Sequence, residues 1–133
     1  VVQLLSEEWI ALHREVLGAL PEVPGATARL QHLVGSGKGG EVAYTLAFVD
    51  GRVVEATLGR DDEAADCTFL VSPADAALIA FGELDLHAAF MQGRVKMTGR
   101  MGRFMAVLET TQGEPYRAAL AEVAKQTERQ RPS

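Results

Sequence analysis

Apolar and polar positions follow an extended period most clearly over residues 42–58. Val42, Tyr44, Leu46 and Phe48 fall on one side of the chain, and Ala43, Thr45, Ala47 and Val49 on the other. Asp50 and Gly51 interrupt the run. Both tolerate positive φ, so the pair predicts a tight hairpin with a return strand over residues 52–58. "TARLQHLV" (27–34) and "DCTFLV" (66–71) read as further strands, the first without a fixed phase. In "RVKMTG" (94–99), Val95 and Met97 face one way and Arg94 and Lys96 the other. Short turns between these runs favour a largely antiparallel sheet.

Between and around the strands the period changes to that of a helix. Ser6 can cap a first helix over residues 7–19, with Leu5, Trp9, Leu12, Val16 and Leu20 on one face, before "LPEVPG" ends it. Ser72, Pro73 and Asp75 supply the cap, first position and acidic third position of another. Asp85 opens a short helical turn that Gly93 stops. Met101, Phe104, Met105 and Leu108 then recur at helical spacing. A last helix is expected at about 115–128, with Tyr116, Ala119, Leu120, Val123 and Thr127 inward and a frayed "RQRPS" behind it. The expectation is an α+β chain.

Composition narrows the classes. The 133 residues match one ordinary domain over 1–133, and 47% apolar content suffices for a core. A net charge of −5 argues against a nucleic-acid surface. The single cysteine permits no internal disulfide. No apolar run approaches the 18 residues that mark a spanning helix. "VVQLLSEEW" lacks the marks of a secretion signal. A reducing, cytoplasmic setting is the expectation.

The candidate chemistry is sparse. "GSGKGG" (35–40) has the glycines of a phosphate loop, but not its spacing, its Ser or Thr after the lysine, or its following helix. His13, His32 and His87 have no partners at metal-ligand spacing and read as singly placed, solvated or satisfied side chains. Cys67 alternates with Phe69 and Val71 as a small core residue, and Asp66 beside it disfavours the thiolate. "DDEAAD" lacks the ligand order of a calcium loop and reads as solvated. No catalytic residue, metal site or cofactor is expected.

The segment 88–108, "AAFMQGRVKMTGRMGRFMAVL", stands apart. It holds all four methionines, together with Arg94, Lys96, Arg100 and Arg103, and no acid. Soft, unbranched methionine suits either an irregular core or the wall of a variable apolar cavity. On the residues alone, Met91, Met97, Met101, Phe104 and Met105 fit both readings. The cations could meet lipid headgroups or be plainly solvated.

This segment resembles the signature of the sterol carrier protein family. So does the order of "GGEVAYTLAFVDGRVV" and "ADCTFLVSPADAALIAFGELDLHAAFMQGRVKMTG", the likeness covering roughly 26–110 with helical flanks at 7–19 and 115–128. The resemblance implies a five-stranded, mostly antiparallel sheet covered on one face by helices. It also implies an apolar tunnel between them that takes fatty acid, acyl-coenzyme A, phospholipid or sterol. By position, Phe81, Leu84, Phe90, Met91, Met97, Met101, Phe104, Met105 and Leu108 would contact lipid. Leu120 and Val123 would do so from a lid helix. Arg100 stands where the family commonly has an acidic or amide residue, and with Arg103 it could contact headgroups or a membrane. A non-enzymatic lipid carrier follows, as monomer or homodimer, with no nucleic-acid partner. A structural or regulatory module with a collapsed or partner-filled pocket is the alternative.

Overall fold

The computed structural model describes residues 1–35 and 41–128. Apart from Gly35, the glycine-rich stretch 35–40 tested above as a phosphate loop lies outside the described residues, as does the tail 129–133.

The elements in chain order are β1 (Val2–Gln3), α1 (Glu7–Leu17), β2 (Ala28–Gly35), β3 (Glu41–Val49), β4 (Arg52–Leu58), β5 (Cys67–Val71), α2 (Pro73–Ala80), α3 (Leu86–Met91), β6 (Lys96–Gly99), α4 (Met101–Thr111), α5 (Glu114–Lys125) and β7 (Thr127–Glu128). Five strands form one sheet in the order β4-β3-β2-β5-β6. All its pairs are antiparallel except β2 with β5, so the sheet is mixed but mostly antiparallel. The parallel pair sets β5 beside the central β2, with Leu30 opposite Cys67 and His32 opposite Phe69.

The Asp50–Gly51 hairpin has the expected backbone, with φ of 49° and 86° at the two positions. Tyr44, Leu46 and Phe48 lie on the side that carries the buried core, and their register partners are His32, Leu30 and Ala28. This settles the phase of β2: Ala28, Leu30, His32 and Val34 face the helices. On the opposite side Gln31 is buried too. Its amide donates to Asp62 Oδ1 and Thr68 Oγ1 and accepts from Asp61 N–H, which holds the acidic loop against the sheet.

Three boundaries differ from expectation. Helix α1 ends at Leu17, not 19, and its buried stripe is Trp9, Ile10, His13 and Leu17. Leu12 and Val16 lie at its flank, half-buried. The ring contact of Trp9 with Tyr44 sets that rotation. Strand β6 starts at Lys96, two residues after the expected start. Helix α5 stops at Lys125, and Thr127–Glu128 leave the helix to pair parallel with Val2–Gln3. Thr127 Oγ1 donates back to the Val123 carbonyl and closes the helix end.

Gly99 joins β6 to α4 with φ of +112°, and a Cβ there would lie 2.3 Å from the Asp66 carbonyl oxygen. That carbonyl accepts from Arg100 N–H. Gly99→Ala is expected to cost about 2–3 kcal/mol, through strain at a positive φ and displacement of this backbone bond. A urea midpoint unchanged from that of the parent protein would contradict this.

Candidate lipid-binding site

A cavity of about 490 Å³ lies between the sheet and the helices, within the usual range for small-molecule sites. Leu30 and His32 of β2 and Leu46 and Phe48 of β3 form its floor. The walls are Ile79 of α2, Phe81 and Gly82 after it, Leu84 to His87 at the start of α3, Phe104 and Thr111 of α4, and Tyr116, Arg117, Leu120 and Ala121 of α5.

Local sequence explains why the walls stand where they do. Ser72 Oγ accepts from Asp75 N–H and starts α2, and Asp85 accepts from Ala88 N–H and starts α3. Asp75 also pairs with Arg94 at 2.6 Å, tying α2 to the segment before β6. Gln112 donates to Asp85, linking the end of α4 to the start of α3 at the cavity's edge. Phe104 is buried, edge-on to Phe69 at 5.0 Å and to Phe90 at 5.9 Å, so one ring joins sheet, α3 and α4.

The lining is apolar with a few polar groups. His32 stacks on Tyr44 at 4.5 Å and 8° between planes, and on Phe69 at 5.4 Å. Burial holds its pKa down at about 4. The neighbouring His13 adds to this, and the Tyr44 and Leu30 backbones only partly oppose it. The imidazole is therefore neutral at pH 7. Burial pushes the Tyr116 hydroxyl up, with Asp85 adding to it. Thr111 Oγ1 is turned back onto the Leu108 carbonyl. Cys67 is not in the lining: its thiol donates to the Arg100 carbonyl, and burial followed by Asp66 raises its pKa. Among the described residues no three His, Cys, Asp or Glu side chains converge as a metal site.

A family model described as the SCP-2 sterol transfer family matches residues 17–112. The chain belongs to this family. SCP-2 domains are non-enzymatic carriers, and membership supports a general lipid-binding or lipid-transfer role. Sterol carrier protein 2 of Oryctolagus cuniculus and that of Homo sapiens are each 33% identical over 88 residues, 65% of this chain. The matched stretch is only 16% of either relative's length. Among solved structures, a conserved protein of Thermus thermophilus superposes with a TM-score of 0.73 at 21% identity, over 93% of this chain and 92% of that one. Palmitated SCP2L2 of Aedes aegypti superposes with a TM-score of 0.62 at 16% identity, over 80% and 94%. At those identities the likeness is one of fold.

The structure distributes the expected contact residues unevenly. Phe81, Leu84, Phe104 and Leu120 line the cavity of this SCP-2 domain. Phe90, Met97 and Leu108 are half-buried against the core, and Val123 is fully buried in it. No methionine is among the lining residues. Met91, Met101 and Met105 are 69%, 43% and 53% exposed. Arg100 is exposed with Asp66 at 3.9 Å, and Arg103 Nη1 donates to the Thr27 carbonyl. The floor residues Leu30, His32, Leu46 and Phe48 were not among the residues expected at the site. The β3 alternation already grouped Leu46 with Phe48, whereas Leu30 and His32 depended on a pairing partner that the sequence does not name.

Proposed function

We propose that this domain binds a single-tailed lipid in the 490 Å³ cavity and exchanges it at membrane surfaces. The observation that carries the reading is an apolar floor and four helical walls enclosing space between sheet and helices, in a chain of the SCP-2 family. About ten buried methylenes gain roughly 8 kcal/mol gross, enough to offset an association cost of similar order. Phe104 and Leu120 contact the tail from the helices, Phe81 and Leu84 from the connection between α2 and α3, with Leu30, Leu46 and Phe48 beneath. Arg100 and Arg103, beside the exposed Met101 and Met105, face anionic headgroups during exchange.

Native mass spectrometry of the purified protein, followed by titration with a fluorescent fatty acid, tests the reading. Wild type should bind the probe with a micromolar or lower Kd. Leu120→Trp, which adds bulk to the cavity wall, should weaken binding at least tenfold while leaving the circular dichroism spectrum unchanged. Absence of any carried lipid together with no probe uptake would overturn it.

A further inference from the structure

We infer that the short β1–β7 pair is a latch on α5, setting how fast the cavity opens for exchange without setting how tightly the ligand is held. The inference rests on the lipid-binding reading above and adds to it a control on rate.

Helix α5 supplies one wall of the cavity through Tyr116, Arg117, Leu120 and Ala121. Its main packing is along α1, with a smaller contact on α4. At its start only Gln112 and Gly113 separate it from α4, and Gly113 offers no side-chain cap. A joint of one or two residues between elements is where a helix can pivot. At its far end Gln126 leads straight into β7. There Val2 and Gln3 lie opposite Thr127 and Glu128. Val2 N–H donates to the Gln126 carbonyl at 2.7 Å, and the Gln3 amide donates to the Glu128 carboxylate.

The clip is weak, but it is anchored on firm ground. The Gln3 carbonyl accepts from the N–H and the hydroxyl of Ser6, the residue that caps α1. Helix α1 is fixed to the sheet by the ring contact of Trp9 with Tyr44 and by Arg14, whose Nε donates to the Val54 carbonyl. Between the clip and that cap, Leu5 is held at φ of +64°, a left-handed conformation that is costly for a bulky side chain. Strain of this kind clusters at clamps and switch segments. Only two residues pair on each strand, and Gln3 and Glu128 are exposed. Bonds so few and so exposed open far more readily than the sheet does. Their release frees one end of α5 to swing about Gly113 and uncover the cavity. Entry and exit share that opening, so a change at the latch moves both rates together and leaves their ratio.

The test cuts the latch in one variant and locks it in another. Val2→Pro removes the N–H that the Gln126 carbonyl accepts. Release of a bound fluorescent fatty acid into excess unlabelled fatty acid should quicken about tenfold, association should quicken alike, and Kd should stay within about threefold. Gln3 and Glu128 are register partners, close enough for a bridge. Gln3→Cys with Glu128→Cys, in a Cys67→Ser background, should slow release about tenfold when oxidised, and reduction of the same sample should restore it. Amide hydrogen exchange gives a readout that needs no lipid. In Val2→Pro the Leu120 and Val123 amides of α5 should exchange faster while those of Leu30 and Leu46 in the sheet do not. Equal release rates in the oxidised and reduced protein, or exchange that rises in sheet and helix alike, would overturn the latch and leave lipid binding intact. Absence of probe binding by every form would overturn the lipid reading, and α5 amides indifferent to both cutting and locking would overturn the latch by themselves.

Discussion

Acidification from pH 7 to pH 4 should remove a large part of the protein's resistance to urea. The cause is a pair of buried histidines. Burial holds both His13 and His32 at about 4, against an ordinary value of 6.5. For His13 the Trp9 carbonyl, 2.9 Å from Nδ1, only partly opposes the effect. Between pH 6.5 and about 4 the unfolded chain binds protons that the native state refuses. Stability is thus fully present above the unfolded value and falls as pH drops through this window. Each pH unit per group is worth about 1.4 kcal/mol, so each histidine contributes up to about 3 kcal/mol. The two together would be comparable with the low end of a typical domain's stability, about 5–15 kcal/mol.

Carboxylates enter at lower pH. Glu55 is held below its usual value by Arg29, and Asp62 by Gln31 and then Arg60, but both are exposed and weakly coupled to folding. Urea midpoints at pH 7, 5.5 and 4.5 provide the measurement. In His32→Phe the pH slope should fall by about half, because His13 still titrates. A midpoint that stays flat from pH 7 to 5 would show that these rings are not buried neutral in solution.

The same histidines mark where sequence reading stopped. Singly, each is an unremarkable residue on a helix or a strand. Their shared environment arises from a non-local pairing: Trp9 lies between His13 and Tyr44, and His32 stacks on Tyr44 from the neighbouring strand. No local period encodes that arrangement. The hairpin was legible because Asp50-Gly51 carries its own backbone chemistry, and α2 because Ser72, Pro73 and Asp75 do the same. Helix α4 was legible as a helix, yet its stripe was assigned one face too wide. Met101, Phe104, Met105 and Leu108 share a spacing, but only Phe104 of the four is fully buried. The buried face runs through Phe104, Val107 and Thr110 instead. Methionine's tolerance of both core and surface is what made the two alternatives indistinguishable by composition. The clip of β1 with β7 was not visible either, since two-residue strands have no period to detect.

That difference along one helix leads to the second large effect. Phe104→Ala is expected to cost about 3–5 kcal/mol, the range for truncating a buried aromatic. The side chain is 1% exposed, and its removal deletes ring contacts with Phe69, Phe90 and His87 at once. The void would open onto the existing cavity, so the surrounding elements cannot easily collapse to fill it, and the cost belongs at the upper end. Met101→Ser and Met105→Ser, three residues before and one residue after on the same helix, should each change stability by less than about 1 kcal/mol, because their side chains already meet solvent. Urea unfolding of the three variants separates the faces. Added fatty acid should recover part of the loss in Phe104→Ala if binding survives, since a ligand that binds only the folded state raises its stability by mass action. Equal losses in the phenylalanine and methionine variants would place the methionines in the core and return α4 to the wider stripe that its spacing first suggested.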